Sequence, residues 1–180
     1  MASSINGPDP VWTTIPAHDF QLNTVAISDD GATVLTGTSL EYGSSEAFGV
    51  YCYTLDERGV GRLLWSDPLG REAKDGVFWV ALSGDGCWAA VGGSYGSDEG
   101  GFVRFYSVAD GPGTRQEFPT TSRVNEVELN ADGSLAVACY ADRLDCFARS
   151  GSGWRVGGSQ QLAGTYARSC GINADGGLVV

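Results

Sequence analysis

Apolar and polar positions alternate in one phrase that returns four times along the chain. It reads Val25-Ala26-Ile27-Ser28-Asp29-Asp30-Gly31, then Val80-Ala81-Leu82-Ser83-Gly84-Asp85-Gly86, then Val127-Glu128-Leu129-Asn130-Ala131-Asp132-Gly133, and last Cys170-Gly171-Ile172-Asn173-Ala174-Asp175-Gly176. Alternate residues of a strand point to one face, so each phrase predicts a strand closed by a hairpin, its Gly taking the positive φ of an Asp-Gly turn. Asp30, Gly31, Asp85, Gly86, Asp132, Gly133, Asp175 and Gly176 are therefore assigned structural roles. A second strand follows each turn, in short apolar runs at 32–37, 87–92 and 134–139, and Gly177-Leu178-Val179-Val180 opens a fourth.

A third strand aligns in three copies, at Val50-Tyr51-Cys52-Tyr53, Val103-Arg104-Phe105-Tyr106 and Leu144-Asp145-Cys146-Phe147. Fourth strands are predicted around 62–66, 115–118 and 154–158, after turns such as Asp56-Glu57-Arg58-Gly59 and Asp110-Gly111-Pro112-Gly113. The turn glycines Gly31, Gly86, Gly133 and Gly176 stand 55, 47 and 43 residues apart. These intervals match or exceed the ~40 to 45 residues of a four-stranded propeller blade. The expected fold is all-β: a β-propeller segment of three complete four-stranded antiparallel blades and a truncated fourth, starting near residues 23, 78, 124 and 167. Val11-Trp12-Thr13-Thr14-Ile15 reads as an N-terminal closing strand, residues 1–10 as a disordered lead and 11–180 as the propeller. Only four residues follow Gly176, so the chain reads as the front of a longer propeller, or as half of a ring closed by a second copy.

These residues resemble the WD40 family and, more loosely, the seven- and eight-bladed bacterial propellers that include quinoprotein-like members. His18 stands thirteen residues before Gly31, in register with the His of the family's Gly-His element, and the resemblance gives it a structural role. Later copies carry Ala73, Thr120 and Ala163 there, and Tyr53-Thr54, Tyr106-Ser107 and Phe147-Ala148 replace the family's Trp-Asp pair. The resemblance thus implies the architecture more than the family's hydrogen-bond network.

Composition agrees with the class. Twenty-seven glycines against six prolines, with aromatics spread throughout, suit short strands and tight turns. Twenty-two acidic and eleven basic residues give a net charge of −11, which disfavours nucleic acid and anionic membranes as partners. The N-terminus lacks a basic and apolar leader, and no run approaches a membrane span, so a cytoplasmic location is expected. Five cysteines without zinc-type spacing read as reduced thiols, with Cys52, Cys87 and Cys170 assigned to packing. Cys139 and Cys146 would face each other across a two-residue turn at Asp142-Arg143, within reach of a disulfide, although a reducing compartment favours free thiols.

Candidate chemistry is sparse. His18 is the one histidine, so no multi-histidine metal site or catalytic triad assembles without it, and its blade register favours a structural bond. Gly92-Gly93-Ser94-Tyr95-Gly96 lacks the Lys and helix of a phosphate loop. The five tryptophans read as packing between blades. No catalytic residue, metal or cofactor is predicted. Loops between second and third strands share Tyr-Gly-Ser followed by acids, making Glu41, Tyr42, Glu46, Tyr95, Asp98 and Glu99, with Asp142 and Arg143 of the third loop, the candidate binding residues. They suit a protein partner carrying basic groups. The expected function is a non-enzymatic interaction scaffold that can self-associate through open propeller edges. The alternative is a quinoprotein- or lactonase-like enzyme or small-molecule binder with its site in the channel.

Overall fold

The computed structural model describes residues 21–39, 49–69, 76–96 and 100–180. His18, the Val11–Ile15 strand and the acidic loop residues Glu41, Tyr42, Glu46, Asp98 and Glu99 lie outside these residues. Among the described residues, twelve strands form three antiparallel blades. The first holds β1 (Gln21–Ile27), β2 (Thr33–Ser39), β3 (Gly49–Leu55) and β4 (Gly61–Pro68). The second holds β5 (Gly76–Leu82), β6 (Trp88–Gly96), β7 (Gly100–Ser107) and β8 (Gln116–Thr120), with a short 3₁₀ turn at Gly111–Thr114. The third holds β9 (Val124–Leu129), β10 (Leu135–Tyr140), β11 (Arg143–Ser150) and β12 (Gly153–Gln161). Within each blade every strand pairs with the next, and the first two blades are joined by one bridge from the end of β2 to the start of β5, Ser39 to Gly76. The fold is all-β and is a partial β-propeller.

The Asp-Gly phrase closes in the same way in the first two blades. In the second, buried Ser83 donates its hydroxyl to Asp85 Oδ1 at 2.6 Å and accepts the Trp88 amide at 2.9 Å, while Asp85 Oδ1 accepts the Cys87 amide at 2.9 Å. Gly86 N–H returns to Ser83 O at 2.9 Å. Where the phrase carries Asn, its side-chain oxygen takes over the acceptor role: Asn130 for Leu135 and Asn173 for Leu178, each at 2.8 Å. The turns are also stitched to one another. Asp29 N–H donates to Gly84 O at 3.0 Å, Asp85 N–H to Ala131 O at 3.2 Å and Ala131 N–H to Ala174 O at 3.1 Å. Gly133 is required twice over: its φ is +61°, and a Cβ there would stand 2.8 Å from the Trp88 ring.

Between blades, two-residue periodicity splits each inner strand into opposite faces. On β7, Phe102 and Tyr106 pack toward the first blade, whereas Val103 and Phe105 pack toward the third. Both faces are covered, so these strands read as nearly continuous apolar runs. Phe105 stacks on Trp154 at 3.9 Å between ring centroids, with Phe147 edge-on at 5.2 Å. Trp65 of β4 stacks on Tyr106 at 5.3 Å and donates to Val108 O at 2.8 Å. Val25 and Ile27 of β1 are 63% and 61% exposed, although their counterparts in the next two copies are turned against a preceding blade.

Buried charge reinforces the first interface. Asp67 of β4 accepts Tyr106 Oη at 2.8 Å and Arg115 at 3.0 Å, with Arg104 at 3.7 Å. The third blade has its own version, in which Asp145 accepts Tyr140 Oη at 2.5 Å, Ser159 at 2.5 Å and Arg143 at 2.8 Å. Burial pushes the Asp145 carboxyl up, but the bonds from Ser159, Tyr140 and Arg143 outweigh it and hold the group below its ordinary range.

Two expectations are corrected here. The third-blade hairpin turns at Ala141-Asp142, not Asp142-Arg143: Tyr140 pairs with Arg143, Cys139 with Leu144 and Cys146 with Val137. Ala141 supplies the positive φ of 46°, and the pull of Asp145 on Arg143 keeps that residue in β11. Cys139 and Cys146 are therefore not opposite one another, and all five cysteines are free. Cys87 is exposed in the turn before β6 rather than packed in a strand.

Two outcomes test this fold. Gly133→Ala should cost about 1–3 kcal/mol in denaturant melts, through forced left-handed backbone and the Trp88 clash. Gly113→Ala, which meets nothing within 4 Å, should stay within about 0.5 kcal/mol of the parent. Because the folded Asp145 is depressed, its contribution is present above the ordinary carboxylate pKa of ~3.9 and lost as pH falls below it. The stability gap between the parent and Asp145→Asn should therefore be widest near neutral pH and close in acid, as read from melts across that range.

Candidate functional site

The innermost strands β1, β5 and β9 share a defect. Their register slips between Leu22 and Thr24, between Val77 and Trp79, and at the pairings of Cys139 with Glu126 and Tyr140 with Val124. One extra residue is thus inserted at the same place in each blade: Asn23, Phe78 and Asn125. A bulge bends the strand and re-aims that side chain. All three line one cleft of about 500 Å³ on the inner side of the blades, together with Trp79, Arg123, Tyr166 and Arg168. Arg168 stands two residues before Cys170, where Asn23, Phe78 and Asn125 stand before Val25, Val80 and Val127, so it occupies the same repeat position.

Hydrogen bonds fix two of the bulged residues. Asn23 Nδ2 donates to Val77 O at 3.2 Å and Asn125 Nδ2 to Ala167 O at 2.7 Å, in each case across to the next copy. Phe78 cannot make that bond and instead lies under the Arg123 guanidinium, 4.6 Å from its ring centroid. Arg123 Nε donates to Asn125 Oδ1 at 3.3 Å, and Arg168 stands 5.9 Å from the Tyr166 ring. Neither arginine has a carboxylate partner among the described residues, in contrast to Arg104, Arg115 and Arg143. Guanidinium groups carry five donors each and no acceptor. The cleft therefore gathers cationic donors, amides and aromatic faces, and among the described residues no carboxylate, histidine or thiol lines it. Trp79 is tied back by its Nε1, which donates to Glu128 at 3.1 Å, while burial pushes the Glu128 carboxyl up against that bond.

The residues expected to bind are placed differently. Tyr95 is tied to its own blade: its hydroxyl donates to Glu117 and its ring lies 5.1 Å from Phe102, and burial with Glu117 pushes its pKa up to about 12. Arg143 is engaged with Asp145 and Ser159, and Asp142 accepts Gln161 at 3.2 Å. None of these three lines the cleft. The tryptophans divide: Trp65, Trp88 and Trp154 pack within and between blades, while Trp79 lines the cleft. The cleft residues were missed because their shared signal, a fixed offset before each phrase, lies outside the phrase itself.

Three solved structures resemble the chain in fold. The crystal structure of the mitotic checkpoint complex contains a chain that is 15% identical, with a TM-score of 0.62 over 88% of this chain and 46% of that one. A putative 6-phosphogluconolactonase from Bacteroides uniformis is 15% identical, with a TM-score of 0.58 over 89% of this chain and 46% of that one. Kuenenia stuttgartiensis hydrazine synthase is 16% identical, with a TM-score of 0.62 over 92% of this chain and 43% of that one. The chain spans less than half the length of each, and the likeness places it among the β-propellers by fold alone. No protein-family model and no curated protein matches the sequence.

Proposed function

We propose that the chain is a non-catalytic binding module of the β-propeller class, which takes an acidic segment of a protein partner into the cleft between Arg123 and Arg168. The observation that carries this reading is the pairing economy. In a chain of net charge −11, two arginines line one cleft with no described carboxylate beside them. A bound carboxylate would relieve their mutual repulsion and accept their forked donors. Asn23 and Asn125 offer further polar contact, and the aromatic rings of Phe78, Trp79 and Tyr166 offer rigid apolar area.

The described lining of the cleft is made of cationic and amide donors and aromatic rings, a set suited to recognition of an anionic group. One solved relative in fold is named as a complex and another as a putative lactonase, so the fold is compatible with either use. The acidic residues Glu41, Glu46, Asp98 and Glu99 were expected to attract a basic partner, and the two readings predict opposite peptide preferences.

Calorimetric titration with an Asp/Glu-rich peptide and a Lys-rich control separates them. The acidic peptide should bind, with affinity falling as salt is raised. Arg123→Ala and Arg168→Ala should each weaken it about tenfold, or roughly 1.4 kcal/mol, without moving the melting temperature beyond a few degrees. Binding of the Lys-rich peptide alone, or equal binding by both arginine variants and the parent, would refute the proposal.

A further inference from the structure

The third blade junction departs from the first two in a concerted way. At the first, Gly37 of β2 receives Val77 of the next blade so closely that a Cβ would lie 2.3 Å from Val77 Cγ1. At the second, Gly92 receives Val124, with a Cβ 2.5 Å from Val124 Cγ1. In the third copy, six residues after the turn glycine, Cys139 replaces the glycine, and Ala167 replaces the valine. The partner loses two methyls where the strand gains a thiol, so the space is kept and its chemistry changes. Cys170 makes the same kind of exchange, standing where Val80 and Val127 stand in the earlier copies.

Glu126 faces the same junction. Its counterpart in the first blade, Thr24, accepts the Val80 amide across the interface at 3.2 Å, and Glu126 Oε2 accepts the Cys170 amide at 2.8 Å. A threonine suffices for that bond. The carboxylate brings in addition a second oxygen and a negative charge into a buried site, without a described cation paired to it. The two sulfurs and a carboxylate oxygen lie within 4.8 Å of one another, and all three residues are buried. A buried carboxylate beside two thiols is costly unless it is compensated. A disulfide between the cysteines would leave that charge as it is.

We propose that Cys139, Cys170 and Glu126 form a structural site for a thiophilic divalent cation, with zinc as its natural occupant, pinning the fourth repeat to the third blade. Binding replaces the two thiol protons, which pass to solvent, with two sulfur–metal bonds and leaves one net negative charge on the assembled site. Soft thiolates select zinc over magnesium or calcium, and these residues supply three of the four ligands that zinc takes. Cys52 lies outside the cluster, and burial pushes it up to about 12.

The test is a titration of the untagged, reduced 180-residue chain with Co²⁺ as a spectroscopic probe, followed by Zn²⁺. One equivalent of Co²⁺ should produce a thiolate-to-metal charge-transfer band in the near ultraviolet, Zn²⁺ should abolish it, and Zn²⁺ should raise the melting temperature. Cys139→Ser should lose the band and the thermal shift, whereas Glu126→Gln should keep the band with at least tenfold weaker affinity. Absence of a saturable band in the folded parent, or a band that persists in Cys139→Ser, would overturn the proposal; the parent titration decides even if a variant fails to fold. A Cys139–Cys170 disulfide in protein purified without reductant, with no metal bound after reduction, would assign the pair to a redox staple instead and likewise overturn it.

Discussion

The turn that closes each inner hairpin is stitched to the turn of the next blade, and the rest of the structure takes its spacing from that contact. Within one turn a Ser or Asn side chain and an Asp carboxylate bind the amides on the far side of the hairpin. Between turns, single backbone bonds run from Asp29 to Gly84, from Asp85 to Ala131 and from Ala131 to Ala174. Each bond contributes only about 1 kcal/mol net, but leaving a buried partner unmet costs more, so the turn tolerates few alternatives. With the turns fixed side by side, the inner strands begin in phase. Ala89 and Val91 then meet the first blade while Ala90 meets the third.

That shared phase is what makes the cleft. The inner strands are equivalent copies starting from equivalent turns, so a bulge at one repeat position places Asn23, Phe78 and Asn125 around a common space. The repeat holds the backbone positions constant, and substitution at those positions supplies the chemistry. At the bulge position the copies read Asn, Phe, Asn and Arg, and two residues earlier the third and fourth copies carry Arg123 and Tyr166. The same logic operates at the blade interfaces, where Gly37 and Gly92 give way to Cys139.

The strands and turns were legible because a packed blade imposes a two-residue period and an Asp-Gly turn imposes a glycine. Tyr106 and Phe147 were legible as third-strand aromatics for the same reason, although their partners, Asp67 of the preceding blade and Phe105, could not be read from spacing. The bulges were not legible, since an extra residue such as Phe78 carries no compositional mark when both its neighbours are apolar. The turn at Ala141-Asp142 was misplaced because Asp142-Arg143 has the polar look of a turn, whereas the register is set by the Asp145 cluster at the far strand. Glu126, Cys139 and Cys170 are far apart in sequence and become a group only when the third copy is laid against the first two. The gathering of Arg123 and Arg168 in one cleft was hidden behind the overall acidity of the chain, which describes the average surface and not a particular cleft.

The stitched turns can be observed directly by amide hydrogen exchange on the 180-residue chain. The N–H groups of Asp29, Asp85 and Ala131 lie in turns that face solvent or are only partly covered, yet each donates to the neighbouring copy. If the blades depend on these bonds, the Asp85 and Ala131 amides will exchange as slowly as interior β10 amides such as Val137 and open with them in one cooperative unit. Exchange of those two amides at the rate of unprotected peptide groups, while β10 stays protected, would contradict the account.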